Sequence, residues 1–101
     1  LAFDHAAMLR DGLERAASKL EYTTLATAFV DEQFTISDLR RVYEAVWRNS
    51  IDAPNFSRKV KSASGFIEST GGKRATGRAP AGLFVKGEAD IISPPFFRPI
   101  E

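Results

Sequence analysis

Ten side chains between positions 55 and 78 are of types that grip a polyanion. Asn55, Ser57, Arg58, Lys59, Lys61 and Ser62 fall in one short stretch, and Lys73, Arg74, Thr76 and Arg78 follow in a glycine-rich one. Guanidinium and ammonium groups neutralise phosphates, and two of these side chains can also read bases. An Arg fork such as Arg58 pairs bidentately with guanine O6 and N7, and an Asn amide such as Asn55 does so with adenine N6 and N7. Other chemistry is poorly supplied. The chain has no Cys and one His, His5. That removes disulfides, thiolate metal sites and cysteine nucleophiles, and leaves too few imidazoles for a zinc site or a catalytic triad. Asp31, Glu32 and Asp38 are the nearest approach to a carboxylate cluster, but no other metal-type ligand stands close and helix-start roles are open to them. Gly72-Lys73 does not open a nucleotide-phosphate loop, because Arg74 stands where Ser or Thr is needed and Ile67 where the first Gly belongs. The expectation is no catalytic residue, no metal and no cofactor in this chain.

The overall charge hides this pattern. The 101 residues carry 14 Lys and Arg against 13 Asp and Glu, a net +1. Resolved along the chain, residues 1–39 hold three basic and seven acidic side chains, residues 40–78 nine and three, and residues 79–101 two and three. A basic central segment between acidic flanks is the asymmetry of a nucleic-acid-binding module, set against a plain solvated basic face. Length allows one core and not two. No apolar run approaches the roughly 18 residues of a membrane span and no signal peptide is evident, so a cytoplasmic setting is expected. The chain starts at Leu1 and reads as a piece of a longer protein.

The elements that must position these side chains are signalled locally. Asp4 can cap a helix running to about Tyr22, with Leu9, Leu13, Ala16 and Leu20 as a narrow apolar seam. That seam either covers this domain's own core or meets a neighbouring domain or a second copy. The stretch Thr23 to Val30 is apolar and β-branched. Thr35 then reads as an N-cap, with Asp38 as an acidic capping-box partner and Phe34 positioned to staple onto Leu39. The following helix should bury Leu39, Val42, Tyr43, Val46 and Trp47, expose Arg40, Arg41, Glu44 and Arg48, and end at Asn49-Ser50. Tyr22, Tyr43 and Trp47 are expected as core or boundary aromatics.

A second helix start follows at Asp52-Ala53-Pro54, with Asp52 as N-cap and Gly65 closing a helix from Ala53 to Ser64. Phe56, Val60 and Ala63 define its inner stripe. Pro54, Asn55, Arg58, Lys61 and Ser62 lie opposite, flanked by Ser57 and Lys59. Period-2 patterning then predicts strands at Phe66–Thr70 and Leu83–Lys86, separated by a flexible basic loop from Gly71 to Gly82. Gln33-Phe34 is a candidate third strand. The order gives an α+β fold: a winged helix-turn-helix of about three helices with a two- to three-stranded antiparallel wing sheet and an N-terminal linker helix. In the tail, Ser93 to Pro99 lacks a P-x-x-P spacing, so Ile91, Ile92, Phe96 and Phe97 are expected to pack back on this domain or on a neighbour.

Four segments also resemble a known family: Lys19–Thr23, Phe34–Val46, Asp52–Lys59 centred on Asn55-Phe56-Ser57-Arg58-Lys59, and Gly65–Gly71. Over roughly Phe3 to Val85 the chain is similar to the C-terminal half of Nudix-related transcriptional regulators of NAD metabolism. The resemblance implies a bacterial repressor of NAD metabolism genes. Residues 1–22 would link from a preceding Nudix domain, 23–87 would be the winged helix that binds double-stranded operator DNA, and 88–101 would be a tail. The Nudix domain would sense an ADP-ribose-like metabolite, and a homodimer would form through the N-terminal helix or that domain. No Nudix box occurs in these residues. Some relatives are ADP-ribose pyrophosphatases, which leaves an alternative: an accessory oligomerisation or docking domain of a Nudix hydrolase. Two departures stand out. The wing reads Gly77-Arg78-Ala79-Pro80-Ala81 where the family more often has G-R-P-A, and the resemblance does not extend to the tail after Gly87.

Overall fold

Thr35 and Asp38 open the central helix as their types and spacing demand. In the computed structural model, which describes residues 5–75 and 79–96, the Thr35 hydroxyl accepts from the Asp38 N–H at 3.1 Å and the Asp38 carboxylate accepts from the Thr35 N–H at 3.1 Å. This capping box begins α2, Ile36–Trp47. Asp4, Thr76, Arg78 and Phe97 lie outside the described residues, as do the side chains of His5, Leu9 and Leu13.

Leu39 and Tyr43 are fully buried on α2, with Val42, Val46 and Trp47 half-buried against the same cluster, and Phe34 joins Leu39 in it. The helix stops at Arg48, which takes a left-handed conformation (φ 57°). That turn sends the chain back over the last turn of α2, so the Glu44 carboxylate accepts from the Ile51 N–H at 2.8 Å. Glu44, expected to be exposed, is therefore half-buried and ties the turn between the two helices.

Asp52 caps α3, Ala53–Ser62, by accepting from the Asn55 N–H at 3.0 Å, and Pro54 sits in the first turn where its missing N–H costs nothing. The helix ends two residues short of Ser64. Ala63 is extended, Gly65 takes φ 73°, and the Phe66 N–H donates to the Ala63 carbonyl at 3.3 Å. The early stop lets Ala63 and Phe66 both enter the core. Here two backbones touch. A Cβ on Gly87 would lie 2.1 Å from the Gly65 carbonyl oxygen, so only glycine lets the exit of the sheet cross this turn.

The sheet pairs β1, Ile67–Arg74, with β2, Ala81–Lys86, antiparallel. Ile67 faces Lys86, and the register shifts between Ser69 and Lys73 before Lys73 meets Gly82 and Arg74 meets Ala81. Both strands thus extend into the stretch expected to be loop. Gly71 (φ 80°) and Gly72 form a bulge within the ladder rather than its end. The Thr70 hydroxyl donates to the Leu83 carbonyl at 3.0 Å across this bulge. The third strand reduces to a single bridge, in which Phe34 and Phe84 exchange N–H···O bonds of 2.9 and 2.8 Å.

Helix α1, His5–Tyr22, joins the core at its C-terminal end. Ala17 and Leu20 are buried, whereas Ala16 is only half-buried, and the Trp47 indole N–H donates to the Ala17 carbonyl at 3.0 Å. Thr23 to Val30 is not a strand. It holds a 3₁₀ helix at Leu25–Phe29 that buries Ala26. The chain after β2 returns across α1: the Thr24 N–H donates to the Asp90 carbonyl at 3.0 Å, the Ile92 N–H to the Tyr22 carbonyl at 2.8 Å and the Phe96 N–H to the Glu21 carbonyl at 2.6 Å. Ile92 and Phe96 are buried in the main core, and Ile91 points outward.

Candidate nucleic-acid interface

With Phe56 and Val60 turned inward, the periodicity of α3 presents the rest of the helix to solvent. Asn55, Arg58, Lys59, Lys61 and Ser62 are exposed and Ser57 is half-buried. No carboxylate lies between Ala53 and Ser62. Three of these side chains already have partners. The Asn55 side-chain oxygen accepts from the Arg58 guanidinium, one turn further along the same face. The Ser62 hydroxyl donates to the Lys59 carbonyl at 3.1 Å. The face thus offers Arg58, Lys59 and Lys61 as cations, and the Asn55 amide NH₂ as a neutral donor.

The wing is arranged differently from the flexible basic loop read from the sequence. Lys73 and Arg74 both lie on β1, past the bulge. Lys73 is exposed. Arg74 instead reaches the start of α2, where its guanidinium contacts the Asp38 carboxylate and donates to the Thr35 hydroxyl at 3.3 Å. Asp38 also meets Arg41 at 3.4 Å. Burial raises the Asp38 pKa, but the Thr35 N–H and the Arg74 guanidinium together outweigh it and hold the carboxyl below its usual range. Thr35, Ser37, Asp38, Arg41, Arg74 and Ala81 line a shallow depression there. Asp38 is the residue that sequence reasoning left incomplete. Its cap role was visible, its hold on the wing was not, because that contact spans 36 residues.

Among the described residues no group of three or more His, Cys, Asp or Glu side chains could hold a metal, and no helix is long and apolar enough to cross a membrane. Two helices joined by a short turn, followed by a two-stranded wing with an outward cationic helix, define the winged helix-turn-helix class of DNA-binding domain. Residues 26–85 match the family described as the NrtR DNA-binding winged helix domain, and the chain belongs to that family. This domain type binds DNA and is not catalytic.

The chain is 31% identical over 84 residues to the ADPR responsive transcriptional repressor NtrR of Acinetobacter baylyi, an alignment covering 83% of the chain and 33% of that repressor. The chain thus spans about a third of that relative's length. It is also similar to the crystal structure of Shewanella oneidensis NrtR complexed with a 27mer DNA, with a TM-score of 0.74 and 29% identity over 100% of this chain and 45% of that one. A second structure of Shewanella oneidensis NrtR gives a TM-score of 0.75 and 34% identity over 99% of this chain and 44% of that one.

Proposed function

We propose that this chain is the sequence-specific DNA-binding part of a cytoplasmic bacterial repressor of NAD metabolism genes, released or retained by an ADP-ribose-like effector. The observation that carries the reading is the outward face of α3, which holds Arg58, Lys59 and Lys61 with no carboxylate, in a family whose relative was solved with a 27mer DNA. In this reading α3 enters the major groove and Arg58 reads a guanine edge. Lys59, Lys61, Ser57, Ser62 and Lys73 hold phosphates, and Thr76 and Arg78 extend the wing's reach. Asn55, joined to Arg58 by a side-chain hydrogen bond on the same exposed face, is the second base-reading side chain, suited to an adenine edge. Residues 1–22 link to a Nudix-type sensor domain, and a homodimer forms through α1 or through that domain.

The test starts by selecting a preferred duplex from a random library, then follows binding by fluorescence anisotropy as salt is varied. Neutralising about five phosphates gives a log–log salt slope of about −4 to −5, and Arg58→Ala costs about 1–3 kcal/mol and relaxes the preference at one base pair. Binding that does not respond to salt, or an Arg58→Ala variant with unchanged base preference, refutes the reading.

A further inference from the structure

The outer half of the wing is attached to the inner half through Gly71 and Gly72, where the ladder changes register. A bulge bearing two glycines, one with φ 80°, constrains direction weakly, so the ladder alone does not aim the tip. The root is fixed separately by the Phe34–Phe84 bridge. Two residues past the glycines stands Arg74, and it reaches out of the sheet to Asp38 and Thr35 on the first turn of α2. Neighbouring residues on a strand point to opposite faces, so the side that turns Arg74 toward α2 turns Lys73 away from it. Lys73 and Arg74 are both exposed, Arg74 with 42% of its side chain accessible, and its partner Asp38 with 22%.

The geometry points to Arg74 as a positioning residue that aims the wing by holding Asp38, with Lys73 the DNA-contacting cation of this pair. The inference rests on the DNA-binding reading above and deepens it. A guanidinium spent on a carboxylate releases no counterion when the duplex arrives, so Arg74 does not count toward the salt slope. Its loss weakens binding by letting the tip swing, which acts on all salt concentrations alike. Asp38 does this without giving up its cap, because its Oδ2 accepts from both the Thr35 N–H, at 3.1 Å, and the Arg74 guanidinium, while Oδ1 faces Arg41.

Anisotropy against the selected duplex distinguishes the roles. Arg74→Ala should weaken binding about two- to fivefold, the span of an exposed ion pair, with the salt slope unchanged. Lys73→Ala should flatten the slope by about 0.9. Asp38→Asn keeps the cap acceptor and removes the charge, so Arg74→Ala made on that background should cause little additional loss, while Arg74→Lys should restore part of the affinity. A slope flattened by about 0.9 in Arg74→Ala, or fully additive Asp38 and Arg74 effects, overturns the inference while leaving DNA binding intact. Absence of salt-dependent binding by the unaltered chain overturns the DNA-binding reading and this one with it. A readout without DNA separates the two: the Asp38 carboxyl, followed by carbon NMR against pH, should titrate higher in Arg74→Ala, and an unmoved titration removes the latch itself.

Discussion

Phe96 lies beyond the residues that match the family, yet it backs α3, and Phe96→Ala measures how much. The ring is 6% exposed and its centroid stands 5.7 Å from Phe66, 6.1 Å from Tyr43 and 6.3 Å from Phe56 on α3. Truncating a buried Phe to Ala costs about 3–5 kcal/mol when the cavity cannot collapse. Phe96 sits on a returning segment rather than in the middle of a helix, so partial collapse puts the expected loss near the lower end, about 3 kcal/mol. The backbone bond from the Phe96 N–H to the Glu21 carbonyl survives the substitution, which removes strand detachment as a competing cause. In urea, with a slope of about 1–1.5 kcal/mol/M for a domain of this size, the midpoint should fall by about 2–3 M. Because Phe96 packs on Phe56, affinity for the selected duplex should also fall at denaturant-free conditions if α3 loses its backing. A loss below about 1 kcal/mol with unchanged DNA affinity would show that the returning segment is an ornament on a domain complete without it.

Two further outcomes follow from single side chains. The Tyr43 hydroxyl is buried and has no hydrogen-bond partner among the described residues, and burial pushes its pKa up. Tyr43→Phe should therefore be neutral or stabilising by about 1 kcal/mol, a rise of about 4–8 °C in Tm by calorimetry, and a fall of that size refutes the orphan assignment. Asp38 is ionised more readily in the fold than in the unfolded chain, so the stability it adds is complete above its unfolded pKa of about 4 and is lost as pH falls through the lower folded value. Urea midpoints measured from pH 6 down to pH 2 should drop more steeply for the unaltered chain than for Asp38→Asn, and parallel profiles would contradict the cap-and-latch account.

What the sequence discloses and conceals here divides by range. Caps are local: Thr35 with Asp38, and Asp52 with Asn55, each need only three residues, and both are found where their spacing puts them. The inner stripes of α2 and α3 are likewise a property of helical period. The wing differs from its reading at Gly71-Gly72, because a glycine pair, one member with positive φ, serves a loop and a bulge equally well, and the deciding factor is the partner strand's register. Glu44 looks exposed by its angle on the helix. Its tie to Ile51 depends on the left-handed turn at Arg48, and nothing in that residue's type announces it. The returning segment has no period at all, so the burial of Ile92 and Phe96 follows only from their apolarity.

The charge tally changes meaning once partners are assigned. Of the basic residues in the central segment, Arg40 pairs with Glu44 at 3.9 Å, and Arg41 and Arg74 both meet Asp38. The two carboxylates of α2 thus offset two of the three positive charges carried by Arg40, Arg41 and Arg74. Among the described residues Arg58, Lys59, Lys61 and Lys73 on α3 and the wing form no ion pair, nor does the exposed Arg48 at the end of α2. Positive potential is therefore concentrated on α3, the helix proposed to read bases, and it is reduced on α2, which supports it. The four on α3 and the wing account for a salt slope of about −3.6, so the remainder of a measured slope between −4 and −5 requires about one more phosphate contact, for which Arg48 and Arg78 are the remaining basic residues of the central segment. If neither Arg48→Ala nor Arg78→Ala changes the slope, one of the paired arginines must break its ion pair on binding, and Arg41, with its side chain 71% exposed, is the most accessible of them.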